Sequence, residues 1–131
     1  MLRANWLKSK ALAISWFIVM NILFVLPGSA LPKAGWFSDI QLDKWIHVGL
    51  FAVLVFLWCS AFTPLFKKIW IALVVAIAYG LLVEIVQKYW VPNRSFDLYD
   101  VLADAAGSVL GLFVWLRVNK KVKRIEKNKP L

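Results

Sequence analysis

The sequence predicts an all-α protein, a four-helix transmembrane bundle with short loops. Three observations carry that reading. The 131 residues are 62% hydrophobic and only 18% charged, whereas a soluble domain carries about 45–50% apolar and about 25% charged residues. The mean hydropathy is +0.72, and the excess is gathered into four apolar blocks separated by short polar segments. Each block comes near the roughly 17–25 residues that cross hydrocarbon as a helix. Lipid offers the backbone no partner, so such segments are helices and not strands. The length suits a single domain covering residues 1–131.

The first block runs about 11–26, "ALAISWFIVMNILFVL", and Pro27-Gly28 ends it. Arg3, Lys8 and Lys10 precede it, and "GSA" at 28–30 is similar to a signal-peptidase site. The block is longer than most signal h-regions, and Trp16 and Asn21 look like packing residues, so we read it as a permanent helix. The second block runs about 45–62 and stops at Thr63-Pro64; the third runs about 69–87, before "WVPN". The fourth runs about 101–116, and a basic tail, 117–131, follows it. The single cysteine, Cys59, lies inside the second block. One thiol excludes an intramolecular disulfide and a thiolate metal cluster, and its default role is a small hydrophobe.

Charge fixes the expected orientation. Arg3, Lys8, Lys10, Lys67, Lys68 and the tail put twelve cations on one side, opposed only by Glu126. Lys33, Lys44, Lys88 and Arg94 are the four on the other. The positive-inside rule then places both termini in the cytoplasm. The overall charge of +9 therefore points to anionic headgroups as partners of the juxtamembrane tail. It does not point to nucleic acid, because no folded reading surface surrounds the basic run.

The acids lie on the opposite side. Asp39, Asp43, Glu84, Asp97, Asp100 and Asp104 are there, with the only histidine, His47. Ionisable groups in membrane helices are costly, turn towards the bundle interior and mark function. Asp43 and His47 are four apart and share a face. Gly80, Glu84 and Gln87 share a face at the end of the third helix. Asp97, Asp100, Asp104, Gly107 and Gly111 follow a 3-4-3-4 spacing, a single seam. Its glycine half allows close helix approach. The three faces should meet in a polar pocket at the outer mouth, lined by Asp43, His47, Glu84, Gln87, Asp100 and Asp104, with Lys44 and Arg94 at the rim.

Each residue also has a plainer role. Asp43 and Asp97 can cap helices, and Asp100 can complement the dipole of a first turn. Lys44 can snorkel to headgroups, His47 can tie to a carboxylate, and Arg94 can anchor at the interface or pair with Glu84. Trp36, Trp45, Trp70, Trp90 and Trp115 sit near helix ends as an aromatic belt.

"LDKWIHVGLF" followed by "LLVEIVQKYWVPNRSFDLYDVLADAAGSVLG" resembles the VanZ-like family. The family pattern opens one membrane helix with Asp-Lys-x-x-His and ends the next with Glu-x-x-Gln. An Arg-Ser/Thr-x-Asp-x-x-Asp segment and a helix of spaced glycines follow. Asp43, Lys44, His47, Glu84, Gln87, Arg94, Ser95, Asp97, Asp100, Gly107 and Gly111 match it, over about residues 40–115. The chain departs from the pattern at Phe51, where the family often has Tyr, and at Asp104, where it often has Asn. The resemblance implies a multi-pass protein of the bacterial plasma membrane and cell envelope, with its polar site outside. The family's namesake is linked to reduced susceptibility to the glycopeptide teicoplanin. A cell-wall precursor or glycopeptide is therefore a further candidate partner, beside membrane lipids.

Three classes of function remain. The leading one is an outward polar site that binds a lipid or cell-wall headgroup, with acids and His47 meeting sugar or amine and Arg94 or Lys44 meeting phosphate. The second is a membrane enzyme in which Asp43 and His47 act as a general-base pair, with Glu84, Asp100 or Asp104 as partners. No Ser or Cys nucleophile stands beside the histidine, and no cofactor is expected. A divalent metal on His47 and the carboxylates is chemically conceivable, but the spacing alone does not support it. The third is a scaffold whose ion pairs only fix helix register. A transporter fits least, since four helices are few for alternating access.

Overall fold

The computed structural model describes residues 9–30, 35, 41–62 and 69–127. Arg3, Lys8, Lys33, Trp36, Asp39, Lys67, Lys68 and Lys129 lie outside the described residues. Four α-helices form the described chain: α1 (Lys10–Phe24), α2 (Leu42–Phe62), α3 (Ile69–Trp90) and α4 (Leu98–Lys127). No strand occurs among the described residues. α2, α3 and α4 are long and apolar enough to cross a membrane. α1 has 15 residues, or about 22 Å of helix, against a hydrocarbon core of about 30 Å.

Local chemistry sets the helix ends. The Ser9 hydroxyl accepts from the Leu12 N–H and caps α1. α3 stops at Trp90 because Pro92 has no N–H to donate, and Asn93 turns the chain at φ 57°. α4 begins at Leu98 because Asp97 Oδ1 accepts from the Tyr99 N–H at 2.8 Å. The helix then runs eleven residues past the expected end of its apolar block. Hydropathy ends at the membrane face, but Lys, Arg and Glu are good helix formers and no glycine or proline intervenes. Thirty residues make about 45 Å, longer than a bilayer core of about 30 Å, and the cations gather in the last turns.

α2 and α4 form the closest pair, with α3 packed on α4 and α1 on α2. Gly107 and Gly111 lie directly against the Val48 and Ala52 carbonyls, so α4 lays its small-residue seam on the α2 backbone. α1 buries a narrow stripe, Ala13, Met20 and Phe24, and leaves Ile14, Ile18 and Ile22 outward. Trp16 Nε1 ties it to α2 by donating to the Leu50 carbonyl at 3.1 Å. Asn21 instead donates to the Phe17 carbonyl of its own helix. After α1, the Gly28 N–H donates to the Pro92 carbonyl at 3.0 Å. A Cβ at Gly28 would collide with the Asn93 carbonyl, so only glycine permits this approach. α1 is thereby fastened to the α3–α4 turn at the site end.

The aromatic-belt expectation requires outward rings, and Trp45, Trp70 and Trp90 are about two-thirds exposed or more. It fails for Trp115, which is buried with Val55, Cys59, Ala72, Ala76 and Leu112. The ring falls on the α4 face that continues the glycine seam, so it packs inward.

Candidate functional site

The site is built at the end where α2 and α4 begin and α3 finishes. His47 lies five residues inside α2, Glu84 six residues before the end of α3, and Asp104 six residues inside α4. At 1.5 Å per residue these depths are about 8–9 Å. The three expected faces therefore meet at one level.

Two layers are distinguishable. In the outer layer Lys44 Nζ donates to Asp97 Oδ2 and Asp100 Oδ1, both at 2.7 Å, and to Asp43 Oδ2 at 3.0 Å. Lys44 does not reach outward as a snorkelling cation. Three carboxylates hold it, and its side chain is 18% exposed. Asp43 lies in the first turn of α2 and is half exposed. Asp97 uses one oxygen as the α4 cap and the other for Lys44. The Lys44 ammonium beside it holds the Asp97 carboxyl below its usual value.

The inner layer is closed. His47, Glu84, Gln87, Asp100 and Asp104 are buried, with Glu84 and Asp104 at 0% exposure. His47 Nδ1 and Asp104 Oδ1 are 2.8 Å apart. With Asp104 ionised the carboxylate only accepts, so that Nδ1–H donates to it; Nε2 lies 3.9 Å from Asp100 Oδ2. The histidine's partner is thus Asp104, across the helix pair, and not Asp43 on its own helix. Glu84 Oε2 accepts from the Asp97 N–H at 2.9 Å. Glu84 Oε1 and Asp104 Oδ2 are buried without a hydrogen-bond partner among the described residues. Gly80 makes room for Asp104, whose Oδ2 would lie 2.7 Å from a Cβ there.

Gln87 faces the end of α1, and Arg94 faces the residues just after it. Gln87 Nε2 donates to the Phe24 carbonyl at 3.0 Å, and Arg94 Nε donates to the Leu26 carbonyl at 3.4 Å. Arg94 makes no ion pair among the described residues, with Glu84 or otherwise. One atom from each of His47, Glu84 and Asp100 lies within 4.8 Å of the others, a spacing compatible with cation ligands.

A family model described as VanZ/LLP1 matches residues 2–119. The chain belongs to the VanZ/LLP1 family. No curated protein and no solved structure matches it. The matched span of this VanZ/LLP1 chain takes in every residue of the cluster and stops before the end of α4. Phe51, at the position of the family's frequent Tyr, is fully buried between the Phe24 and Tyr79 rings. Sequence reasoning missed Phe24, whose ring lies 5.1 Å from His47 and whose carbonyl receives Gln87. Nothing distinguishes it from its apolar neighbours in α1. It also missed the Asp97 N–H as the partner of Glu84, because backbone donors leave no mark in a side-chain pattern.

Proposed function

We propose that this VanZ/LLP1 protein is a multi-pass protein of the bacterial plasma membrane and that its polar cluster faces outside. There it would receive the headgroup of an envelope lipid or cell-wall precursor. The twelve-to-four division of cations supports cytoplasmic termini. The exposed cations on the last turns of α4, Arg117, Lys120, Lys121, Lys123, Arg124 and Lys127, would then meet anionic headgroups of the inner leaflet.

The observation that carries the reading is the convergence of His47, Glu84 and Asp104 from α2, α3 and α4 about 8–9 Å below the helix ends, under an outer layer of Lys44 and the α4 cap Asp97. Three carboxylates around one ammonium leave the mouth negative. A negative mouth suits an amine or sugar hydroxyl. Arg94, three residues before Asp97 in the chain and without an ion pair among the described residues, suits a phosphate. Lys44 is saturated by carboxylates, so we assign it to holding the mouth together. Asp43 and Asp97 are the acids within a ligand's reach. An effect on glycopeptide susceptibility would follow if the occupant is a cell-wall precursor.

The test is lipid retention by the protein purified in detergent, read by native mass spectrometry with phosphatidylethanolamine and phosphatidylglycerol offered together. Phosphatidylethanolamine should be retained preferentially, and Arg94→Ala and Asp43→Asn should each weaken retention. Equal retention of both lipids, or no response to either substitution, would overturn the reading.

A further inference from the structure

We propose that His47, Glu84 and Asp100 form a site for one divalent transition cation of the zinc or manganese class. The three side chains come from three helices and are 4%, 0% and 7% exposed. Each offers one ligand atom within 4.8 Å of the other two. Around zinc, bonds of about 2.0–2.1 Å put tetrahedral ligands about 3.4 Å apart. The set needs to draw in by roughly 1.4 Å at most, within the reach of side-chain torsions.

A second observation is independent of that spacing. Glu84 is fully buried, and its Oε1 has no hydrogen-bond partner among the described residues. A carboxylate oxygen left so in a membrane interior costs free energy unless something positive meets it. Lys44 does not serve, because its three contacts are Asp43, Asp97 and Asp100.

The surroundings of the three ligands match what a metal requires. Each is gripped through one atom and keeps another. His47 Nδ1 lies 2.8 Å from Asp104 Oδ1, and with that proton on Nδ1 the imidazole presents Nε2 as a neutral ligand nitrogen. The Asp97 N–H holds Glu84 Oε2, and Lys44 holds Asp100 Oδ1. Partners of this kind fix the orientation of metal ligands and raise their basicity. One imidazole with two carboxylates suits zinc or manganese, and the absence of a thiolate argues against copper(I). Cys59 belongs to a separate core cluster deeper in the bundle. The two carboxylates would balance the cation's charge. The inference stands on this geometry and not on the headgroup reading.

The experiment uses the full chain in detergent, stripped with a chelator and titrated with zinc or manganese chloride. Bound metal is measured by mass spectrometry and affinity by calorimetry. One equivalent per chain is expected. Glu84→Gln should weaken binding at least tenfold, and Asp104→Asn, which alters the atom facing His47, by about 10–100-fold. The visible spectrum of the cobalt(II)-loaded unsubstituted chain should carry the intensity of a low-coordinate site, a readout that needs no variant. No bound metal in the unsubstituted chain would overturn the proposal. So would equal uptake by the folded Glu84→Gln chain, which would place the ion on exposed acids. Lipid selectivity that survives either result leaves the headgroup reading standing.

Discussion

Replacing Gly107 by alanine probes the helix contact on which the site depends. A Cβ at Gly107 falls on the Val48 carbonyl oxygen and comes within 2.9 Å of the Val48 Cα. Carbon atoms pack at about 3.5 Å or more, so α4 and α2 must part by roughly 0.6 Å on the gentler contact alone. The obstacle is backbone, which cannot swing aside. Overpacking of this kind costs about 1–3 kcal/mol. Helix propensity favours alanine over glycine by about 0.5–1 kcal/mol, so the expected net loss is about 1–2 kcal/mol. Gly49 supplies the control: it is exposed on α2, with nothing within 4 Å of a built Cβ. Gly49→Ala should show the propensity gain without the clash. The assay is reversible unfolding in mixed detergent and dodecyl sulfate, followed by circular dichroism. Parting the helices also stretches the Lys44–Asp100 and His47–Asp104 contacts, so Gly107→Ala should weaken lipid retention as well. Equal stability of the Gly107→Ala and Gly49→Ala proteins would refute the seam argument.

Three further predictions concern the outer layer. Lys44→Met strands the nearly buried Asp100 and should cost about 2–4 kcal/mol in the same unfolding assay, after allowance for partial exposure. Asp43→Asn, at a half-exposed partner, should stay within about 0.5 kcal/mol. For Asp97 the folded carboxyl titrates below its ordinary value of 3.8, chiefly through Lys44. Its contribution is therefore complete above that value and is lost as pH falls through the depressed one. Asp97→Asn, which keeps a capping oxygen, should be less stable than the unsubstituted chain at neutral pH. The gap should narrow as pH drops below 3.8, as read from melting temperatures across an acid series.

Periodicity made the seams legible. The 3-4 spacing of Asp100, Asp104, Gly107 and Gly111 identifies one face of α4, and all four are buried there. Gly80, Glu84 and Gln87 behave likewise on α3. Spacing reports which residues share a face, but not what stands across from it. Spacing therefore pairs His47 with Asp43 four residues away, whereas its partner is Asp104, 57 residues away. Lys44 shows the same limit. Alone it reads as a snorkelling side chain, and only the start of α4 brings Asp97 and Asp100 to it. The long end of α4 and the inward turn of Trp115 were hidden because hydropathy marks where lipid ends. It marks neither where a helix ends nor which way a ring points.

The distribution of unmet hydrogen bonds separates a ligand site from a scaffold. A network kept only for helix register should satisfy its deepest members best, since an unpaired buried polar atom costs about 1–3 kcal/mol. This cluster does the reverse. The half-buried Lys44 has three partners and Asp97 uses both oxygens. The fully buried Glu84 and Asp104 each keep an oxygen without one among the described residues. Glu84→Gln tests whether that cost is real. Glutamine keeps an oxygen for the Asp97 N–H, adds a donor where the carboxylate had none, and removes a buried charge. If the cluster is poised for a ligand, Glu84→Gln should leave the ligand-free protein as stable or more stable, in the usual exchange of function for stability. A scaffold requires the charge and predicts a loss of a few kcal/mol. Unfolding of the chelator-stripped, delipidated protein distinguishes the two, and a large loss would turn the cluster back into a structural tie.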